Sequence, residues 1–221
     1  MPLDRKTYKW FYDRIYSPFY DLLIRWYFLP AGGEARCREA LIAPVAFSPN
    51  EKILDMCCGT GGATRAIAKK AGDGSWIAGM DLSAGQISAA GKHSKLADIH
   101  FVVGDAECAP FQDGSFDKVF IPHALHEMPR DIRLRALAET RRILRDNGML
   151  IVLELDTPPR LLVRLLLGFW CLYWLPFNFE TPTRKDMLKH GLTNEVMESG
   201  FKQITKTSSH HGVFQIIQAV K

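Results

Sequence analysis

A chain of 221 residues with 47% apolar and 24% charged residues lies in the range of ordinary globular domains, far from disordered or collagen-like compositions. Its net charge of +4 is mild, and the basic pairs Lys69-Lys70 and Arg141-Arg142 stand among acids, which argues against a nucleic-acid partner. The five cysteines form neither a CxxC pair nor a zinc spacing, so they imply reduced thiols, no metal centre and a cytoplasmic setting.

The opening, MPLDRKTYKWFYDRIY, carries charges throughout and does not read as a secretory signal. Residues 1–50 are read as an N-terminal helical segment and 51–221 as one α/β domain with an apolar insertion at about 158–185. Within that domain, short apolar runs alternate with longer amphipathic ones, the pattern of strands and helices around a parallel sheet. Strands are expected at Lys52 to Asp55, Trp76 to Met80, Ile99 to Val103, Phe116 to Ile121 and Met149 to Leu153. Helices are expected at Gly62 to Ala71, Ala84 to Ala97 and Asp131 to Leu144. The tail differs: one helix from Met187 to Ser199, closed by Gly200, precedes two strand-like runs at Phe201 to Thr207 and Val213 to Val220. The gap between these runs is too short for a crossover helix, so they should pair antiparallel.

The chemistry-bearing residues fall at strand ends. ILDMCCGTGGATRAIAKK sets Gly59, Gly61 and Gly62 between a strand and a helix, where bare backbone can approach a nucleotide or a carboxylate. Asp81 ends the second strand, twenty residues past Gly61, where a carboxylate can accept from both hydroxyls of a ribose. Gly104-Asp105-Ala106 follows the third strand and can meet an adenine amino group at the rim of the same crevice.

The series LDMCCGTGG, GMDLS, GDAECAPF, FDKVF and LRDNGMLIVLE resembles the motifs of class I S-adenosylmethionine methyltransferases from Lys52 to the end of the chain. The resemblance implies a doubly wound, Rossmann-like seven-stranded sheet, mostly parallel with a C-terminal antiparallel hairpin, and S-adenosyl-L-methionine as cofactor. By the same resemblance Asp55, Gly59 and Gly61 surround the methionine part, Asp81 meets the ribose, Leu82 covers one adenine face, and Asp105 with Ala106 meets the adenine edge. Tyr20, Cys57, Thr60 and Pro122 complete the implied cofactor set. Cys57 departs from the pattern, since its position is usually glycine or alanine. YDRIYSPFYDLL, GDAECAPF and FETPTRKDMLKHGLTNEVMESGF look closest to the methyltransferases of ubiquinone and menaquinone synthesis and their relatives.

Sixteen of the 24 aromatic residues lie in Tyr8 to Phe28 and Phe169 to Phe179. Segments so placed would cover the carboxyl edge of the sheet as a lid over an apolar pocket, which fits a small apolar or lipid-like acceptor of quinol, phenol or phospholipid type. The run Leu161 to Phe179 is interrupted by Arg164 and is too short to span a bilayer, so it is expected to be buried or interfacial. Core packing, a homodimer interface and peripheral membrane contact are its open uses, the last suggested by Arg160 and Arg164 beside the apolar run. His123 and His126 follow the fourth strand and are the candidate catalytic bases, with Glu127 and His211 as lesser candidates. A helix cap or packing role is the competing reading of both histidines.

Two other functions share these features. A nicotinamide-dependent oxidoreductase uses the same strand-end acid, but its third fingerprint position, here Thr64, calls for glycine or alanine. A non-catalytic protein that binds S-adenosylmethionine keeps the loop but leaves the histidines without a use. Metalloid capture by thiolates is disfavoured, because the adjacent Cys57 and Cys58 diverge and Cys108 and Cys171 stand in no motif.

Overall fold

A computed structural model describes residues 28, 32–94, 99–173 and 181–221. The helical elements among them are α1 (Glu34–Ile42), α2 (Gly62–Lys70), α3 (Ala84–His93), α4 (Arg130–Ile143), α5 (Leu161–Tyr173), α6 (Thr181–His190) and α7 (Leu192–Glu198). The strands are β1 (Lys52–Met56), β2 (Trp76–Asp81), β3 (Ile99–Val103), β4 (Phe116–Pro122), β5 (Leu144–Leu155), β6 (Lys202–Ser209) and β7 (Phe214–Val220).

The strands form one seven-stranded sheet in the order β3-β2-β1-β4-β5-β7-β6. The first five run parallel, and β7 lies antiparallel to both β5 and β6. The order reverses between β1 and β4, and in an open α/β sheet the crevice outside the carboxyl ends at that reversal is where ligands bind. Alternation along β1 divides the core. Leu54 and Met56 pack with Val119, Ile121 and the α4 residues Ala136, Leu137 and Ile143 on one face. Ile53 packs with Phe120, Ile151, Ala63 and Ile67 of α2 and Leu41 of α1 on the other. Burial on both faces is why these strands read as near-continuous apolar runs.

A fully buried Arg133 ties α4 to the C-terminal helices. It donates to Glu195 at 2.8 Å through both Nε and Nη2 and to Asp186 at 2.8 Å. The same arginine pairs with both acids beside His190, so Asp186 and Glu195 are already engaged by a cation within the chain.

Two expectations need correction. The helix expected from Met187 to Ser199 is two helices, because Gly191 takes φ 80° between α6 and α7, which an interior helical residue cannot do. The fifth strand begins at Leu144, opposite Phe116, and carries a register shift before the expected core pairs. Of the two readings of the run from Leu161, buried or interfacial, the described part of α5 fits the second: Leu161, Leu162, Leu165, Leu166 and Phe169 are all exposed. The expected aromatic helix from Tyr8, including Tyr16 and Tyr20, lies outside the described residues except for Phe28, and so does the part of the apolar run at 174–180.

Candidate active site

The glycine loop leaves β1 at Met56 and enters α2 at Gly62. Cys57 and Gly59 take φ 62° and 54°, and Gly61 takes φ 75° as the residue before the helix. Gly61 has a second reason to lack a side chain: a Cβ there would lie 2.9 Å from the Phe101 ring. The left-handed Cys57 carries a local cost that glycine at that position would avoid. Its thiol is pushed well above the ordinary range, first by burial and then by the carboxylates of Asp81 and Glu127. Burial likewise raises Cys58, so neither is a thiolate nucleophile.

Asp81 closes the loop onto β2. Its Oδ2 accepts from the Gly59 amide and its Oδ1 from the Ser83 amide, each at 2.9 Å. The two bonds fix the plane of the carboxylate at the crevice, where a carboxylate can accept from a ribose hydroxyl. Gly104 donates to the Asp81 carbonyl at 2.9 Å, which brings the third strand end alongside. There Asp105 Oδ1 accepts from the Glu107 amide at 3.0 Å, and Ala106 is buried. Leu82 is half-buried beside Asp81, and Thr60 is buried in the loop, its carbonyl bonded by Arg65 at 2.7 Å.

Asp55 is fully buried under the loop. Thr64 donates its hydroxyl to Oδ2 at 2.5 Å, whereas Oδ1 has no partner among the described residues. Burial raises the acid to about 7, against the Thr64 bond that favours the charged form. The guanidinium of Arg38, from α1, lies over Gly62 so closely that a Cβ there would clash with it. The Arg38 guanidinium, itself paired with Glu34, glycine backbone without side chains and an orphaned carboxylate oxygen lie at one end of the crevice. A fixed carboxylate and a buried apolar edge form the other. That donor and acceptor set fits an amino-acid-bearing nucleoside such as S-adenosylmethionine.

The carboxyl ends of β4 and β5 are built differently. His126 Nδ1 lies 2.9 Å from Oε2 and 3.0 Å from Oε1 of Glu154, the penultimate residue of β5. Glu154 is completely buried; burial alone would raise its pKa, but the charge and hydrogen bond of His126 outweigh it and hold the carboxyl below its usual value. His123, one residue past Pro122, adopts φ 51° with its ring 5.1 Å from Phe28 and 5.0 Å from Phe214. Its Nε2 is buried without a partner among the described residues, and burial lowers it to about 4 although Glu154 acts in the opposite direction. His123 is therefore a neutral imidazole at physiological pH, whereas His126 is the histidine held by a carboxylate. Of the lesser candidates, Glu127 is half-buried near Cys57, and His211 sits in the 3-10 turn between β6 and β7 at φ 59°.

Glu154 and Arg38 were absent from the sequence-based candidates. An acid at the end of the apolar run Leu150 to Leu153 is the same signal that singles out Asp55 and Asp81, and it could have drawn attention to Glu154. Nothing in the sequence shows that Arg38 reaches over the loop.

Residues 53–148 match the family model described as a methyltransferase domain. An uncharacterised methyltransferase of Synechocystis is 31% identical over 215 residues, covering 95% of this chain and 93% of that protein. A demethylmenaquinone methyltransferase of Thermotoga maritima is 34% identical over 167 residues, 75% of this chain and 69% of that one. Among solved structures, phosphoethanolamine N-methyltransferase 2 of Haemonchus contortus in complex with S-adenosyl-L-methionine aligns with a TM-score of 0.70 at 17% identity. That alignment covers 97% of this chain and 60% of the nematode protein, and it establishes the shared fold.

Proposed function

Because the chain belongs to the class I S-adenosylmethionine-dependent methyltransferases and takes S-adenosylmethionine as its methyl donor, we propose that it methylates a small quinol- or phenol-type ring, with His126 as the base. The observation that carries this reading is the buried bond between His126 Nδ1 and Glu154 at 2.9 Å. A carboxylate accepting from Nδ1–H makes Nε2 the basic nitrogen and lowers the energy of the imidazolium formed when Nε2 takes a proton. When bound, the cofactor supplies an electrophilic methyl group on a sulfonium. An acceptor hydroxyl delivered to His126 gives up its proton to Nε2, and the electron pair left on oxygen makes the oxygen and the conjugated ring carbons nucleophilic. The residues at the other end of the crevice hold and align the donor: Arg38, Gly59 and Gly61 toward its amino-acid part, Asp81 at the ribose, and Leu82, Asp105 and Ala106 at the adenine.

Support for an aromatic acceptor comes from two directions. The rings of Phe28, His123 and Phe214 lie within about one ring's width of each other beside the base. The name of the Thermotoga relative points to a quinone-type acceptor. Titration calorimetry with S-adenosylhomocysteine, with NADH as control, tests donor binding; methyl transfer to demethylated naphthoquinols by wild type and Glu154→Gln tests the base. Donor binding with no transfer to any quinol or phenol would favour another acceptor class or the non-catalytic reading.

A further inference from the structure

Helix α5 is the most apolar helix described, and it faces outward. Leu161, Leu165 and Phe169 follow one another at intervals of four, Leu162 and Leu166 run alongside, and all five side chains are between 54% and 73% exposed. Single exposed leucines are ordinary, but four with a phenylalanine on one short helix form a contiguous patch of the kind that marks an interaction site. The 13 residues from Leu161 to Tyr173 include no acid, and their only charge is Arg164. Arg160 precedes the helix, and Arg164 turns its guanidinium back toward the Pro159 carbonyl at 3.4 Å, so both cations sit at the helix's first turn. The nearest acid in sequence, Asp156, is held by Lys206 at 2.7 Å.

We infer that α5 is a membrane-surface helix, which lies in the headgroup region of an anionic bilayer with its leucines and Phe169 in the acyl boundary and Arg160 and Arg164 on lipid phosphates. The 13 described residues reach about 20 Å, short of a hydrocarbon core, which favours lying at the surface over crossing. Among the described residues no helix is long and apolar enough to cross a membrane. Charge decides between a lipid and a second copy. A two-fold dimer apposes the same patch on both partners, which would bring two sets of Arg160 and Arg164 against helices that hold no acid. An anionic bilayer supplies the missing phosphates to both cations while taking up the apolar side chains. Because α5 follows the carboxyl end of β5, docking there sets the candidate active site beside the bilayer. The surface itself stands independently of which acceptor the enzyme uses.

Flotation of the full chain with vesicles separates these outcomes. The wild type should float with vesicles of phosphatidylcholine mixed with phosphatidylglycerol and only weakly with phosphatidylcholine alone. Leu162→Glu/Leu166→Glu, at exposed positions that leave the core untouched, should weaken vesicle binding at least about tenfold. Arg160→Gln/Arg164→Gln should bring affinity for the anionic vesicles down to that for the neutral ones. Unchanged binding of S-adenosylhomocysteine by both variants would show that they are folded. A wild type that stays out of the floating fraction, or a double glutamate variant that floats equally well, overturns the inference. So does light scattering of the lipid-free protein that reveals a dimer dissociated by Leu162→Glu/Leu166→Glu, because the face then belongs to a second copy.

Discussion

The two halves of the crevice solve different problems with different materials. Along β1, β2 and β3 the site is made mostly of backbone: two amides on Asp81, left-handed glycines, and a loop that β2 pins through the Cys58 amide on the Met80 carbonyl at 2.9 Å. Along β4 and β5 it is made of titratable side chains, His123, His126 and Glu154, two of them completely or nearly buried. A backbone cradle has one shape at every pH and suits a ligand that is always the same. Buried acids and imidazoles carry desolvation strain, which is tolerated where protons have to move. The difference teaches that substitutions on the first side should appear in donor affinity and those on the second in turnover.

The largest expected effect breaks the second side alone. His126→Ala should lower kcat by about 10²–10⁴ and Glu154→Gln by on the order of a hundredfold, with S-adenosylhomocysteine affinity unchanged in both. Glu154→Gln should also alter the pH profile of kcat, because a neutral amide no longer stabilises the imidazolium. Loss of donor affinity in either variant would mean that the two halves are not separable. Next in size, Asp81→Ala removes the carboxylate that joins Gly59 to Ser83. It should raise the Kd for S-adenosylhomocysteine about a hundredfold, equivalent to about 3 kcal/mol, with little change in secondary structure. Unchanged affinity would move the ribose away from the end of β2.

Asp55 tests whether the first side hides a titration of its own. Its folded pKa of about 7 stands above the ordinary carboxyl value of 3.8, so the native state binds the proton more tightly than the unfolded chain. Stability from that group is complete below the unfolded value and is lost as pH rises through the folded one. Asp55→Asn keeps an acceptor for Thr64 and removes the titration, so its stability relative to wild type should climb between pH 4 and pH 7.5. The rise should reach roughly 3 to 4 kcal/mol, read from urea unfolding of the donor-free protein at both pH values. A flat difference would show that Asp55 titrates in the folded protein as it does in the unfolded chain.

Much of this arrangement was legible because it depends on local signals. Asp81 and Asp105 end apolar runs and follow glycine-bearing turns, and the strand ends of a parallel sheet meet at one edge, so their convergence needs no knowledge of packing. The pair joins His126, in the 3-10 turn after β4, to Glu154 on β5, 28 positions apart, and neither neighbourhood in the sequence names the other. The break at Gly191 was hidden for a different reason: the apolar spacing from Met187 to Val196 continues across it, and a lone glycine inside a periodic segment is compatible with an unbroken helix. Apolar composition also could not tell whether Leu161 to Phe169 lies inside or outside, since the same leucines serve a core and a surface that meets lipid.

The smallest effect concerns His123, which combines a left-handed backbone, φ 51°, with a ring packed between Phe28 and Phe214. Asparagine tolerates that backbone region, so His123→Asn isolates the loss of the ring, a cost of about 1 kcal/mol at neutral pH. The histidine's folded value of about 4 lies below the ordinary imidazole value of 6.5, so the unfolded chain takes up a proton that the native state refuses. Its contribution is therefore fully present above 6.5 and is lost as pH falls toward 4. At pH 5 that loss amounts to about 2 kcal/mol in the wild type and is absent from His123→Asn. Thermal unfolding should accordingly show the variant a few degrees less stable at pH 7.5 and level with or above the wild type at pH 5. An equal gap at the two pH values would mean that His123 accepts its proton in the folded protein, which would make it, and not only His126, a competent base at the acceptor edge.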